Sequence, residues 1–363
     1  MKVEMLDLKA QYKSLKGRIN TAIQRVLDDQ QFIQGPEVPL LEIALAHELN
    51  SLHAVGVSSG TDALLVSMMA AEIGHGDEVI TTPYTFFSTA GSIARLGAKP
   101  VFVDIDPNTY NIDADKIENA ITDRSVAVIP VHLFGQCCEM GRIIDMTDKT
   151  TLFVIEDAAQ AIGAKYGNLH AGTMGEFGCL SFFPSKNLGA YGDAGMVLVQ
   201  DNDLAEKIGR LRVHGGGQWI GGNFRMDTLQ AAILLVKVSY TKKWIAKRRI
   251  NAAKYLRGLG GLDIGLPILS DEGNVFHQYV IRVRDNQTRD ELLTHMRKRE
   301  IDCRVYYPTP LHLHQAFGYL GYRKGDFPVA EHAAMTTLAI PIHENLTDEQ
   351  IDYVIESVKE GLE

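Results

Sequence analysis

From Ala54 to Asp157 short β-rich runs alternate with helical ones, and this alternation limits the folds open to the chain more than any other feature. The runs are "AVGVSS", "DEVITTP", "KPVFVDI", "SVAVIPVH" and "LFVIED". Helices are predicted between them over Asp62 to Ile73, near Ser88 to Leu96 and near Ala114 to Ala120. Strands separated by helices are joined by crossovers, which makes neighbouring strands parallel and puts helices on both faces of the sheet. "CLSFFP" and "GMVLVQ" continue the series. The expected class is therefore α/β, with a doubly wound, mostly parallel sheet covered by helices.

Ahead of the sheet a helix is predicted from Asp7 to Leu27, and a second one, after the turn "QGPEVP", runs through Leu49. Behind it a long helix is predicted from Met226 to about Leu256, carrying the basic stretch "KKWIAKRR". A smaller αβ region follows, with a strand at "HQYVIRV" and a terminal helix beginning near Thr347. The domain boundary is expected in the long helix, giving a large domain over 1–240 and a smaller C-terminal αβ domain over 241–363. With 363 residues, 45% of them apolar, the chain can bury a substantial core. No uncharged apolar run reaches the roughly 18 residues that suggest a membrane span, and "MKVEMLDLKAQYK" lacks a signal-peptide core. No membrane partner is expected, and the cytoplasm is the expected location. A net charge of −9 argues against a nucleic-acid partner. Cys137, Cys138, Cys179 and Cys303 have neither zinc-site spacing nor the density of a disulfide scaffold, so reduced thiols and no metal are expected.

Ligands of open parallel sheets sit outside the carboxyl ends of the strands, so polar residues directly after strands carry most of the functional signal. In "SSGTDALL", Ser59, Gly60 and Thr61 lead into a helix whose free N–H groups favour an anion such as phosphate. Taken alone, Ser59 and Asp62 read first as a capping box. In "LFVIEDAAQAIGA" a buried strand ends on Glu156 and Asp157, with Gln160 three residues further on. A carboxylate there calls for a cationic partner, although helix capping by Asp157 fits the pattern equally. Lys186 follows "CLSFFP" and precedes the glycine-rich "NLGAYGDAG"; an apolar pocket lowers a lysine's pKa and frees its amine to attack a carbonyl. Tyr84, Phe86 and Phe87 in "TTPYTFFST" offer a ring to a flat cofactor, with core packing as the alternative. Anion cradle, aromatic face, strand-end carboxylate and pocket lysine, in that chain order, describe a pyridoxal phosphate site. Lys186 forms the Schiff base in this reading, and Asp157 pairs with the ring nitrogen.

These stretches also resemble a known family. "SSGTDAL", "PYTFFST", "GAKPVFVDID", "IPVHLFGQ", "IEDAAQAIGA", "SFFPSKNLGAYGDAG", "NFRMDTLQAAIL" and "GDFPVAEHAA" together are similar to the DegT/DnrJ/EryC1/StrS nucleotide-sugar aminotransferases, over nearly the whole chain. The resemblance implies the aspartate-aminotransferase-like fold, pyridoxal phosphate fold type I. It also implies a homodimer with shared active sites and a ketosugar substrate linked to UDP or dTDP. Matched residue by residue, Lys186 is the Schiff-base lysine, Asp157 the pyridine partner, and Gln160 a ring or O3′ contact. Gly60, Thr61 and Ser181 hold the phosphate, and Phe86 stacks. Asn223 reaches the phosphate from the neighbouring subunit; on its own it reads as the N-cap of the Met226 helix.

The expected reaction passes an amino group from glutamate to the ketosugar. Arg225 is the candidate for its pyrophosphate; His312 reads equally as a sugar-pocket residue or a satisfied structural histidine, whereas the Lys242–Arg249 run reads first as a solvated helix face. The loop "HGGGQWIGG", His214 to Gly222, is shorter than in many members, and "GQCCEM" stands where "GQxADM" is commoner. "FFPSKNLGAYGDAG" is closer to members that aminate C3 than to the "SFHxxKN" members that aminate C4, so a 3-keto substrate is favoured. The alternatives are a 4-keto-sugar aminotransferase and a non-catalytic regulator that keeps the fold and cofactor. A sugar dehydratase is disfavoured because Lys186 stands where those relatives have histidine.

Overall fold

In the computed structural model, which describes residues 1–269 and 273–363, the alternating segments form a seven-stranded sheet in the order β1-β9-β8-β5-β4-β2-β3. Its strands are β1 (His53–Val57), β2 (Glu78–Thr81), β3 (Lys99–Phe102), β4 (Ser125–Val128), β5 (Phe153–Asp157), β8 (Phe177–Ser181) and β9 (Gly195–Val199). The short strands β6 (Lys165–Tyr166) and β7 (Leu169–His170) form a separate hairpin. All neighbours in the large sheet are parallel except β9, which runs antiparallel to both β1 and β8. β9 can be antiparallel because it returns from β8 without a helix between them. Its first residue, Gly195, is therefore level with the last residues of β1 and β8: it pairs with Val57 on one side and Ser181 on the other.

Helices cover the sheet. α1 (Leu8–Asp29) and α2 (Glu37–Leu49) precede it, α3 (Gly60–Ala70), α4 (Ser88–Arg95), the single turn α5 (Ala114–Ile117) and α6 (Met140–Thr147) fill the crossovers, and α7 (Asn202–Leu211) follows β9. β1, β2, β5, β8 and β9 are buried almost throughout, as a sheet covered on both faces requires. The long helix predicted from Met226 is two helices, α8 (Thr228–Val238) and α9 (Thr241–Leu259), meeting at Ser239 and Tyr240. Asn223 is not its N-cap; Asp227 holds that position.

A second core surrounds the antiparallel pair β10 (Tyr279–Arg282) and β11 (Thr337–Ile340), packed by α9, α10 (Asn286–Lys298) and α12 (Asp348–Glu360), with α11 (Pro328–Thr336) leading into β11. Thr347 caps α12 in a full capping box with Gln350. Val3 crosses back to this core, pairing with Ile301 and lying fully buried. Among the described residues no helix is long and apolar enough to cross a membrane. None of their His, Cys, Asp and Glu side chains group to hold a metal ion. The four cysteines are free and buried.

Candidate active site

Strand polarity decides where the polar residues meet. The carboxyl ends of β1, β2, β5 and β8 and the start of β9 lie on one edge of the sheet, and a cavity of about 500 Å³ opens there. Ser59, Gly60 and Thr61 line it from beyond β1, Phe86 from beyond β2, Asp157 and Gln160 from β5, and Ser181 and Lys186 from β8. Eight of the eleven residues singled out in the sequence therefore share one cavity.

At the turn into α3, Ser59 is the N-cap and its hydroxyl accepts from the Asp62 N–H at 3.0 Å, as a capping residue does. The Gly60 and Thr61 N–H groups are among those a helix leaves without an internal acceptor. The backbone is tightly drawn in here. A Cβ on Gly60 would lie 2.7 Å from the Ser181 Cβ, and one on Gly195 would lie 2.3 Å from the Ser59 carbonyl. Only glycines let β8, β9 and the α3 turn approach so closely, and the result is a small concave cradle at a helix N-terminus.

Glu156 and Asp157 point to opposite faces of β5, as successive strand residues must. Glu156 is wholly buried on the structural side. It accepts from the N–H groups of Gly172 (2.7 Å), Met174 (2.6 Å) and Gly175 (2.8 Å) and from His132 Nε2 (2.8 Å). The Cys138 N–H donates to His132 Nδ1 at 3.1 Å, so the imidazole proton is on Nε2. Asp157 faces the cavity. The Thr89 hydroxyl donates to its Oδ2 at 2.8 Å, and the Ala159 N–H to its Oδ1 at 3.2 Å. Burial raises its carboxyl above the ordinary range, against the Thr89 and Ala159 hydrogen bonds and the nearby Lys186 charge.

Lys186 makes no side-chain hydrogen bond among the described residues. It is partly open to the cavity and otherwise enclosed by protein, and this desolvation takes its amine down to about 8, with Asp157 pulling the other way. The sign is that of an amine held ready as a nucleophile or base.

The aromatic stretch splits by role. Tyr84 is wholly buried, its hydroxyl bonding to the Tyr306 carbonyl (2.7 Å) and to Thr337 (2.9 Å), and Phe87 packs on Phe317 with ring centroids 5.2 Å apart. Phe86 stays 57% exposed with a ring at the cavity. Gln160 is held at both ends: its Oε1 accepts from the Phe134 N–H at 2.7 Å, and its Nε2 donates to the Tyr307 hydroxyl at 3.1 Å.

Three expected residues lie outside this cavity lining. His312 is buried against Phe327, its Nε2 3.0 Å from Glu331, so its expected place in a sugar pocket gives way to a structural one in the aromatic cluster under α11. Asn223 is exposed and bridges to Val213, and Arg225 pairs with Val57, its Nε buried without a hydrogen-bond partner. Conversely, the cavity includes Thr85, His277, Tyr306 and Tyr307, which sequence reasoning missed. Nothing in their local pattern points there; Tyr307 and His277 arrive from the C-terminal part of the chain.

The DegT/DnrJ/EryC1/StrS aminotransferase family model matches residues 13–359. The chain belongs to this family. A pleiotropic regulatory protein of Geobacillus stearothermophilus is 46% identical over 99% of this chain and 98% of its own length. UDP-N-acetyl-3-dehydro-alpha-D-glucosamine 3-aminotransferase of Acidithiobacillus ferrooxidans is 40% identical, covering 99% of this chain and 98% of the relative. Among solved structures, DesV of S. venezuelae, captured with a ketimine intermediate, superposes with a TM-score of 0.96 at 38% identity, covering 100% of this chain and 99% of that one. NtdA of Bacillus subtilis, with bound cofactor PMP, has a TM-score of 0.89 at 32% identity over 96% of this chain and 82% of that one. The DegT/DnrJ/EryC1/StrS member described here thus has the aspartate-aminotransferase-like fold and is an aminotransferase whose cofactor is pyridoxal 5′-phosphate. Its cavity fits that group: a cradle with no room for a Cβ at Gly60 or Gly195, an enclosed amine of lowered pKa, and a buried carboxylate in want of a cation.

Proposed function

We propose that this chain transfers an amino group from glutamate to a nucleotide-linked sugar with a keto group at C3. In this reading it works as a homodimer in which Asn223 of each chain meets the phosphate-binding turn of the other. The observation that carries the catalytic part is the pairing, in one cavity, of the unpartnered Lys186 amine with the buried Asp157 carboxylate. The 3-keto preference rests on the 3-aminotransferase named above and on the form of the "FFPSKNLGAYGDAG" stretch.

Bound pyridoxal phosphate supplies an electrophilic carbon and a ring that takes up electrons when a substrate carbon loses its proton. Everything else falls to the protein. The Gly60 and Thr61 N–H groups with the Ser59 and Ser181 hydroxyls bind the phosphate, and the face of Phe86 covers the ring. Asp157, aimed by Thr89 and Ala159, holds the ring nitrogen in its protonated form, which also relieves the carboxylate of its missing partner. Lys186, with an amine at about 8, has both its forms accessible near neutral pH, so its Nζ can take a proton from the amino donor's carbon in one half of the transfer and deliver a proton to the sugar carbon in the other half. Arg225 is the candidate for the nucleotide's phosphates because its Nε has no other partner.

The test is turnover of glutamate with a panel of UDP- and dTDP-linked 3-keto and 4-keto sugars, followed by mass spectrometry of the amino sugar and assay of 2-oxoglutarate. A 3-amino product is expected. An amino product only from the 4-keto sugars would overturn the C3 assignment, and cofactor binding with no amino transfer to any sugar would favour a regulator, the role in the Geobacillus relative's name.

A further inference from the structure

Lys186 sits on a turn whose two arms are held differently. The entry arm continues β8. The Lys186 N–H donates to the Phe183 carbonyl at 2.8 Å, and the Ala190 N–H closes the turn onto the Phe182 carbonyl at 2.7 Å. The arms cross so tightly that a Cβ on Gly189 would lie 2.4 Å from the Pro184 carbonyl oxygen. The exit arm, Gly189 to Gly192, lies on α8 before the chain enters β9. There Gln230 Oε1 accepts from the Tyr191 N–H at 2.9 Å, and two turns further along the same face Lys237 Nζ donates to the Gly189 carbonyl at 2.6 Å. The Lys237 Nζ also lies 4.3 Å from the centre of the Tyr191 ring.

Lys237 is only 1% exposed. An ammonium buried to that degree is costly, and packing on an apolar helix would be served as well by Leu or Met. Among the described residues its amine's direct partners are the Gly189 carbonyl and the Tyr191 ring, both on the exit arm of the Lys186 turn, with the Glu344 charge acting on it besides.

We propose that Lys237 is a positioning residue: by fixing the Gly189 carbonyl to α8 it sets the turn that presents the Lys186 amine to the cavity. This rests on the reading of Lys186 as the reactive lysine.

The experiment uses Lys237→Met and Lys237→Gln, the second keeping a shorter, neutral donor. In cofactor-free protein one measures the rate at which pyridoxal phosphate is captured, with borohydride reduction and peptide mapping to identify the lysine. In loaded enzyme one measures kcat and KM for the amino donor. Lys237→Met should slow capture by Lys186 and lower kcat by roughly 10- to 100-fold, the effect of a reacting group misplaced by about 1 Å, with KM little changed. Lys237→Gln should be slowed less than Lys237→Met but not reach the wild type. Wild-type capture and kcat in Lys237→Gln, or in both variants, would overturn the proposal and leave Lys237 a packing residue. If Lys237→Met does not fold, Lys237→Gln decides alone. The underlying reading fails separately, if the reduced adduct of the wild-type protein maps to a lysine other than Lys186.

Discussion

Asp157 and Lys186 are each held in a state that the cofactor-free protein does not favour. Burial raises the Asp157 carboxyl, so the stabilisation from its protonated form is complete below the ordinary carboxylate pKa and is lost as pH rises through the folded value. Ionised Asp157 is therefore a liability to the empty protein at neutral pH. Asp157→Asn should melt higher than wild type when both are stripped of cofactor at pH about 7, with the gap closing towards acid pH. The same change should lower kcat by roughly 100-fold or more, about 3 kcal/mol, because an amide has no charge to keep the ring nitrogen protonated. An Asp157→Asn enzyme with wild-type turnover would remove that role.

For Lys186 the sign is reversed but the penalty falls in the same place. Its folded pKa of about 8 lies below the ordinary 10.5, so the charged amine destabilises the empty protein below about pH 8, and the burden lifts as pH rises towards 10.5. Cofactor-free Lys186→Met should accordingly melt higher than wild type at neutral pH, and the difference should shrink across that alkaline window. A gap independent of pH would mean that packing, not charge, separates the two proteins.

At the scale of elements, the site depends on which strand or helix delivers each group. α4 begins at Ser88, and its first turn brings Thr89 under Asp157, while the Thr85 and Thr89 hydroxyls are 3.2 Å apart. Thr89→Val keeps the shape and removes a hydrogen bond to a charged group, so kcat should fall roughly tenfold while the KM for the amino donor changes little. Unchanged kcat would make Thr89 a packing residue of α4. The strand–helix alternation made the sheet legible, and with it the carboxyl edge on which Ser59–Thr61, Asp157, Ser181 and Lys186 converge. Thr89 was not legible as a partner of Asp157, because that contact spans 68 residues and depends on how α4 lies over β5. The break between α8 and α9 was hidden because apolar spacing continues through Ser239 and Tyr240. For His312 the sequence left a sugar-pocket and a structural reading open, because the Glu331 and Phe327 contacts that favour the structural one come from α11 and the segment just before it. The unusual Cys138 finds an ordinary place, its thiol donating to the Val131 carbonyl at 3.1 Å in the core.

At the scale of the whole molecule, the proposed function calls for a second chain beside the cavity. Asn223 is exposed and stands outside its own cavity lining, next to a glycine-rich loop whose Ile220 is 93% exposed. Leu40, Ile43, Phe32 and Ile33, on and just before α2, are exposed apolar residues, and side chains of this kind in a contiguous patch mark a contact surface. The proposed function requires a two-fold dimer in which each chain's Asn223 meets the other's cradle. Two separately inactive variants test this. Lys186→Ala removes the reactive amine, and Asn223→Asp sets a carboxylate against the phosphate. If the two residues serve one site from different chains, a mixed dimer has one site with both lesions and one with neither. Random exchange makes half of the dimers mixed, so roughly a quarter of the sites, and of the wild-type activity, should return. If the residues belonged to the same chain's site, every site would keep one lesion however the chains were mixed. Native mass spectrometry establishes that mixed dimers have formed; mixed dimers without recovered activity would place Asn223 outside the partner's site.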